Sequence, residues 1–180
     1  MVLIIILLAL QSCQFHQEAK LGQAAALYNT QLGLVYLTQG DWVLAKRKLL
    51  IALSQNPNSP DVNAAMAYFL EKTGDVVKAQ SYYRKAMLLA PGRGAQLNNY
   101  GAFLCRQKHY QQADHYFLLA VRDMQYERTA AAYENAGLCA MMIPDYKKAQ
   151  TYFKKALMHD PRRMRSMDEL KRMNEGNVGR

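Results

Sequence analysis

Several residue types are scarce in this 180-residue chain. Proline occurs five times, tryptophan once and cysteine three times, and no Cys-x-x-Cys spacing is present. So few prolines, beside abundant Ala, Leu, Gln, Lys and Met, favour helix and argue against an all-β chain. Three cysteines cannot build a disulfide framework, and a structural zinc site lacks its usual paired ligands. Acidic residues are also short, 14 Asp plus Glu against 23 Lys plus Arg, for a formal charge of +9. That excess suits acidic partners, anionic lipid or nucleic acid without dictating a fold. A mean hydropathy of −0.26 excludes a polytopic membrane protein. With 51% apolar and 21% charged residues, the chain has the balance of a globular protein.

Residues that carry chemistry are missing in the same way. Pro91-Gly92-Arg93-Gly94 reads as a turn and not as a phosphate loop, and no Gly-x-Ser-x-Gly or His-Glu-x-x-His occurs. His16, His109, His115 and His159 have no spacing that offers two ligands to one metal. The sequence therefore predicts no catalytic residue, no metal and no small-molecule substrate. Tyr82-Tyr83-Arg84-Lys85 and Tyr152-Phe153-Lys154-Lys155 interleave aromatic and basic residues, as single-strand binders do. Tyr83 and Phe153, however, fall on packing positions of the repeat described below, so these runs read as solvated helix faces and no nucleic acid is expected.

One apolar run is present, at residues 2–10, followed by Gln11-Ser12-Cys13. Nine helical residues rise about 13 Å, well short of the ~30 Å hydrocarbon core. The length is that of a signal-peptide apolar region. Leu10-Gln11-Ser12-Cys13 resembles the lipobox of bacterial lipoproteins. The resemblance implies a signal peptide at 1–12, a lipidated segment at 13–25 leading into the first helix, and covalent lipid on Cys13 as the one attached group. Gln14, where an Asp would retain the protein at the inner membrane, implies an anchor at the periplasmic face of the outer membrane. The alternative is a buried N-terminal strand or helix.

The rest of the chain has a period. Pro57 and Pro91 are 34 residues apart, as are Gly40-Asp41 and Gly74-Asp75. Leu32-Gly33, Ala45, Leu49 and Ala52 recur as Met66-Ala67, Ala79, Tyr83 and Ala86, then as Tyr100-Gly101, Ala113, Phe117 and Ala120. They recur again, after a step of 36, as Ala136-Gly137, Ala149, Phe153 and Ala156. The units are 26–59, 60–93, 94–129 and 130–163, with the two extra residues near 125–129. This pattern resembles the tetratricopeptide repeat (TPR). It implies an all-α fold: a right-handed TPR superhelix of four helix-turn-helix repeats plus a C-terminal capping helix in 164–180. Small residues let paired helices approach closely, the prolines fall in turns, and Asp41, Asp75 and Asp145 sit where N-caps belong. Helices are predicted at about 18–39, 41–54, 60–73, 75–89, 95–107, 109–122, 129–142, 145–158 and 162–174. The last carries Met164, Met167, Leu170 and Met173 on one stripe beside five basic residues, as a cap or as a lipid- or partner-touching helix.

In TPR proteins the first helix of each repeat lines a groove, which places Leu27, Leu34, Leu37, Tyr68, Asn98, Ala102, Arg106 and Glu134 on a partner-binding face. Apolar residues open to solvent there suit a peptide with apolar anchors, unless segment 14–25 covers them. Cys105 and Cys139 fall on the first helices of adjacent repeats. Such helices run about 8–10 Å apart, within reach of a disulfide; two separate buried thiols are the alternative.

Asn98-Asn99-Tyr100-Gly101-Ala102-Phe103-Leu104-Cys105 and Glu134-Asn135-Ala136-Gly137-Leu138-Cys139-Ala140 resemble the PilF/PilW family of type IV pilus biogenesis lipoproteins. The resemblance implies a pilotin: an outer-membrane TPR lipoprotein that binds the secretin pore subunit and supports its assembly or insertion, and with it pilus formation and twitching motility. A general scaffold for envelope assembly is the alternative within the binding class, and an envelope enzyme lies outside it.

Overall fold

Alanine and glycine set how closely the helices of this protein approach. The computed structural model describes residues 2–176, with side chains from Lys20 onward. Its helices are α1 (Val2–Thr38), α2 (Trp42–Gln55), α3 (Pro60–Lys72), α4 (Val76–Leu89), α5 (Gly94–Arg106), α6 (Tyr110–Ala120), α7 (Thr129–Met141), α8 (Tyr146–His159) and α9 (Met164–Asn174). No strand occurs among the described residues. The fold is all-α and of the TPR type, with helices paired α1/α2, α3/α4, α5/α6 and α7/α8. Two compact units divide the chain, one ending at Leu89 and the other starting at Ala90. That border falls between the second and third repeats.

Each helix pair is closed by the same contact. Ala45, Ala79, Ala113 and Ala149 are fully buried, as are Ala52, Ala86, Ala120 and Ala156 seven residues further on. Between them a large side chain faces the partner helix: Leu49, Tyr83, Phe117 or Phe153. Opposite these stand Gly33, Ala67, Gly101 and Gly137. A methyl group at Gly33 would lie 2.7 Å from Leu49, and one at Gly137 would lie 2.7 Å from the Phe153 ring. Neither distance is tolerable between carbons, so glycine here sets the spacing of the helices. Each fully buried Leu or Phe contributes about 1.5–3 kcal/mol.

The turns follow the period less strictly. Asp41 accepts the Leu44 N–H at 2.9 Å, Asp75 the Lys78 N–H at 3.2 Å and Asp145 the Lys148 N–H at 3.1 Å, as N-caps. His109 holds the corresponding place before α6 without a side-chain cap bond. Gly40 and Gly74 adopt φ of +80° and +88°, the left-handed conformation that ends α1 and α3. The third turn puts Lys108 there, at φ +65°. A side chain in this conformation costs about 1 kcal/mol relative to glycine.

The two-residue insertion closes back onto its own unit. The Gly94 N–H at the start of α5 donates to Asp123 at 2.7 Å, and the Tyr126 ring lies against the Gly94 Cα, leaving no room for a side chain. The backbone bonds from Gly94 and Gln125 hold the Asp123 carboxyl below its usual range. Cys105 and Cys139 form a disulfide with Cα atoms 5.8 Å apart, joining α5 to α7. By loop closure such a bridge contributes about 2–4 kcal/mol.

The ninth helix begins at Met164, two residues later than the sequence predicts, because Arg163 is engaged as its N-cap residue. The Arg163 guanidinium pairs with Glu134 of α7, and the Ser166 hydroxyl donates to Glu134 at 2.8 Å. Leu170 and Met173 pack on the cluster of Ala140, Ala149 and Phe153. Glu134, predicted in the groove, is therefore buried as the anchor for α9. Burial alone would raise its carboxyl pKa. The bonds from Arg163 and Ser166 outweigh that effect and hold it below the usual carboxylate range.

Two measurements test this packing. Gly137→Ala forces a methyl into Phe153 and is expected to lower stability by about 1–3 kcal/mol in denaturant unfolding, against little change for an exposed Gly→Ala outside a positive-φ turn. Because the folded-state pKa of Glu134 is depressed, its contribution is present above the unfolded-state value near 4.5 and is lost as pH falls through the folded value. Glu134→Gln should flatten the acid side of the stability profile. Glu134→Ala should cost about 1–3 kcal/mol at neutral pH by leaving Arg163 unpaired.

Candidate binding grooves

The packing positions of α2 leave a defined set of residues facing outward. Burial of Ala45, Leu49 and Ala52 turns Val43, Arg47 and Leu50 to the opposite face of the helix, with Trp42 and Lys46 exposed on its flank. Three of those five are apolar: Trp42 is 46% exposed, Val43 70% and Leu50 50%. They form one wall of a groove of about 780 Å³ within the first unit. Met66, Phe69 and Leu70 of α3 form its floor, and Lys78 and Tyr82 of α4 the far wall. Lys78 pairs with Asp75 at 2.8 Å, which leaves Lys46 and Arg47 as the uncompensated charges on the rim. A wide apolar slot with a tryptophan at one end and cations along one edge is suited to an extended or helical segment with apolar anchors.

A second groove, of about 370 Å³, lies in the second unit. Ala102 and Arg106 of α5 line it, together with Leu138 and Met142 at the end of α7. The Cys105–Cys139 bridge runs along its wall.

The other predicted groove residues are placed differently. Leu27 is 51% exposed on α1 and free to touch a partner. Leu37 is buried in the core cluster with Ala45, Leu49, Ala65, Met66 and Phe69, so it is a packing residue. Leu34 and Tyr68 are half-buried against that cluster. A charge at either would cost stability, contrary to the sequence expectation of exposed side chains. Asn98 is buried and accepts a hydrogen bond from Asn135 at 3.1 Å, linking α5 to α7. Cys13 falls within the span of α1, but its side chain lies outside the described residues. Trp42, Val43 and Leu50 escaped the sequence reading because it confined the partner face to the first helix of each repeat. The signal was nonetheless present, since Val43 and Leu50 are apolar at positions that the Ala45-Leu49-Ala52 pattern turns away from its partner.

Among the described residues no group of His, Cys, Asp and Glu is arranged to hold a metal ion. No described helix is long and apolar enough to cross a membrane. Most carboxylates of the second unit are engaged within it. Asp114 receives Lys148 Nζ and the Tyr152 hydroxyl, both at 2.7 Å, and burial followed by that hydrogen bond pushes the Tyr152 phenol far upward. Glu169 is paired with Arg172. The positive excess of the chain is therefore displayed at its surface.

Comparison with known proteins places these features in a family. Residues 60–93 match the tetratricopeptide repeat model, which coincides with the second repeat. The chain is 37% identical over 127 residues to the type IV pilus assembly protein PilF of Pseudomonas aeruginosa, covering 71% of this chain and 50% of that protein. It thus spans about half the length of that relative. An uncharacterised protein of Haemophilus influenzae is 34% identical over 149 residues, covering 83% of each chain. The solved structure of Pseudomonas aeruginosa PilF superposes with a TM-score of 0.73 at 32% identity, over 86% of this chain and 71% of that one. That of PilW, a type IV pilus biogenesis factor, gives 0.74 at 27% identity over the same shares. Sequence and fold agree, and the chain belongs to the PilF/PilW family of tetratricopeptide-repeat proteins of type IV pilus biogenesis.

Proposed function

We propose that this chain is a lipid-anchored adaptor at the periplasmic face of the outer membrane. It binds the secretin pore subunit of a type IV pilus system and promotes that subunit's assembly or membrane insertion. The role is one of binding and not of catalysis. The observation that carries it is the apolar groove of the first unit, where Trp42, Val43 and Leu50 stand exposed beside Lys46 and Arg47. Large side chains left open in a packed helical repeat are a standing cost in water unless a partner covers them. Membership of a pilus-assembly family supplies the class of partner, and a pore subunit en route to the membrane presents apolar segments that need such cover.

Anchoring would come from Cys13, with a diacylglyceryl group and an amide-linked acyl chain. One acyl chain binds a bilayer marginally and two bind stably, so three would hold the protein permanently. The surface charge would add attraction to anionic lipid within about a Debye length.

Two experiments test the reading. Val43→Asp together with Leu50→Asp should weaken capture of the purified secretin subunit at least tenfold while leaving the melting temperature nearly unchanged, because both side chains face solvent. Undiminished capture would remove the groove from the interface. Cys13→Ala should move the protein from the outer-membrane fraction to the soluble periplasmic fraction; continued sedimentation with membrane would sink the lipid-anchor proposal.

A further inference from the structure

Stacking in a helical repeat has a fixed register, and the first helix departs from it. On α3, Val62, Met66 and Phe69 are buried against the preceding helix pair. Val62 packs with Ala26 and Ala52, while Met66 and Phe69 join the cluster of Leu37, Ala45 and Leu49. In the second unit Ala132, Ala136 and Cys139 of α7 hold the same register and are buried as well. Ala136 and Cys139 lie beside Tyr110 and Asp114 of the preceding pair, and Cys139 is bonded to α5. One period before Val62, Met66 and Phe69 stand Tyr28, Leu32 and Val35 of α1. Tyr28 is 61% exposed and Val35 48%, and Leu21, two helical turns before Tyr28, is 64% exposed. The first repeat thus presents a stacking face to solvent.

The end of a solenoid ordinarily carries a polar cap. The last repeat has one in α9, where Arg165, Asp168, Lys171 and Arg172 are exposed. The described residues of the first repeat supply none: from Leu21 to Gly40 there is no Asp, Glu, Lys, Arg or His. Leu21, Ala24, Tyr28, Gln31 and Val35 are all exposed, at the alternating three-and-four spacing of a helix–helix seam. Helix α1 runs unbroken from Val2, so the residues before Lys20 continue along its axis and do not fold back over this stripe.

We propose that the stripe is a self-association surface, on which α1 of a second copy of this chain docks. Two observations select a second copy. The chain carries a formal charge of +9, so two copies repel each other through charged faces, whereas this face holds no charge to oppose contact. Tyr28 stands midway between Leu21 and Val35, so the stripe matches a reversed copy of itself, as an isologous two-fold interface requires. Two such helix faces bury on the order of 1,000 Å² in total, the low end for a specific pair. The association is therefore weak, and it suits cross-linking in place better than measurement in dilute solution. No α1 residue lines the groove of Trp42, Val43 and Leu50, so the two surfaces are separate and their tests fail separately.

The test is photo-cross-linking of the full chain in cells, with p-benzoylphenylalanine in place of Tyr28 and a second, differently tagged copy co-expressed. The expected product has twice the mass of the chain, carries both tags and maps to the stripe of each copy. The same group in place of Val77, which is 78% exposed on α4 of the same unit, should give at least tenfold less of it. Leu21→Lys with Val35→Lys should cut the yield from position 28 at least tenfold without lowering the melting temperature, since both side chains face solvent. Leu21→Met with Val35→Ile should preserve it. In cell extracts added salt should raise the yield, because it screens the repulsion between like-charged chains and leaves an apolar contact intact. Absence of the double-mass product, cross-links to a different protein only, or equal yield from position 77 would overturn the proposal. So would a yield untouched by the two lysines, or one that falls as salt is added.

Discussion

Everything else in this structure depends on the close approach of two helices across a glycine or alanine. In three places a glycine on the first helix receives a Leu or Phe from the second, buried Ala67 and Tyr83 hold the same positions in the second pair, and fully buried alanines stand on either side. The contact is short-range and nearly all dispersion and apolar burial, so it tolerates no added volume. It fixes which face of each second helix points inward, and so which residues point out. The exposed Trp42-Val43-Leu50 surface is a direct product of that geometry: with Ala45, Leu49 and Ala52 turned to α1, nothing remains on α2 to cover its outer face.

The same contact explains why so much of the fold could be read from the sequence. The spacing of Gly33, Ala67, Gly101 and Gly137 repeats with that of their bulky partners, and a period is visible without any structure. Helix ends came out within one to two residues at most boundaries, because Gly40, Gly74 and the aspartate caps mark them chemically. The N-terminal limit of α1 differs most: the sequence predicts a start near residue 18, and the helix runs from Val2. Groove residues were harder. Assigning them by position in the repeat assumes that each unit has regular neighbours, and Leu37, Asn98 and Glu134 do not. Leu37 meets Ala65, Met66 and Phe69; Asn98 bonds to Asn135; and Glu134 is covered by a ninth helix whose start lies 30 residues further along the chain. Such pairings arise from tertiary contact and leave no periodic trace. Lys108 could have been noticed, because it breaks the Gly40/Gly74 register, but its significance depends on a backbone angle.

The two units solve the problem of surface charge differently. In the first, the groove is apolar and its cations sit on the rim. In the second, acids are largely consumed internally, by Lys148 and Tyr152 on Asp114, by Arg163 and Ser166 on Glu134, and by Arg172 on Glu169. Pairing acids inside leaves cations facing water, so the net positive charge is a consequence of which residues the packing neutralises. One chain thereby offers two surfaces of different chemistry.

Helix α7 carries more than its share of the second unit's connections. The disulfide ties it to α5, Glu134 ties it to α9, and Phe153 locks α8 against its glycine. Repeat proteins ordinarily open from their ends, one unit at a time, because each repeat is held only by its neighbours. Three kinds of bond converging on one central helix change that. Fraying of α9 has to break the Glu134 ion pair, and separation of α5 from α7 is blocked covalently, so the second unit opens as a whole or not at all. The described residues of the first unit include no disulfide of this kind. Its backbone amides are expected to exchange with solvent through successive partial openings, and those of α7 chiefly when the second unit unfolds.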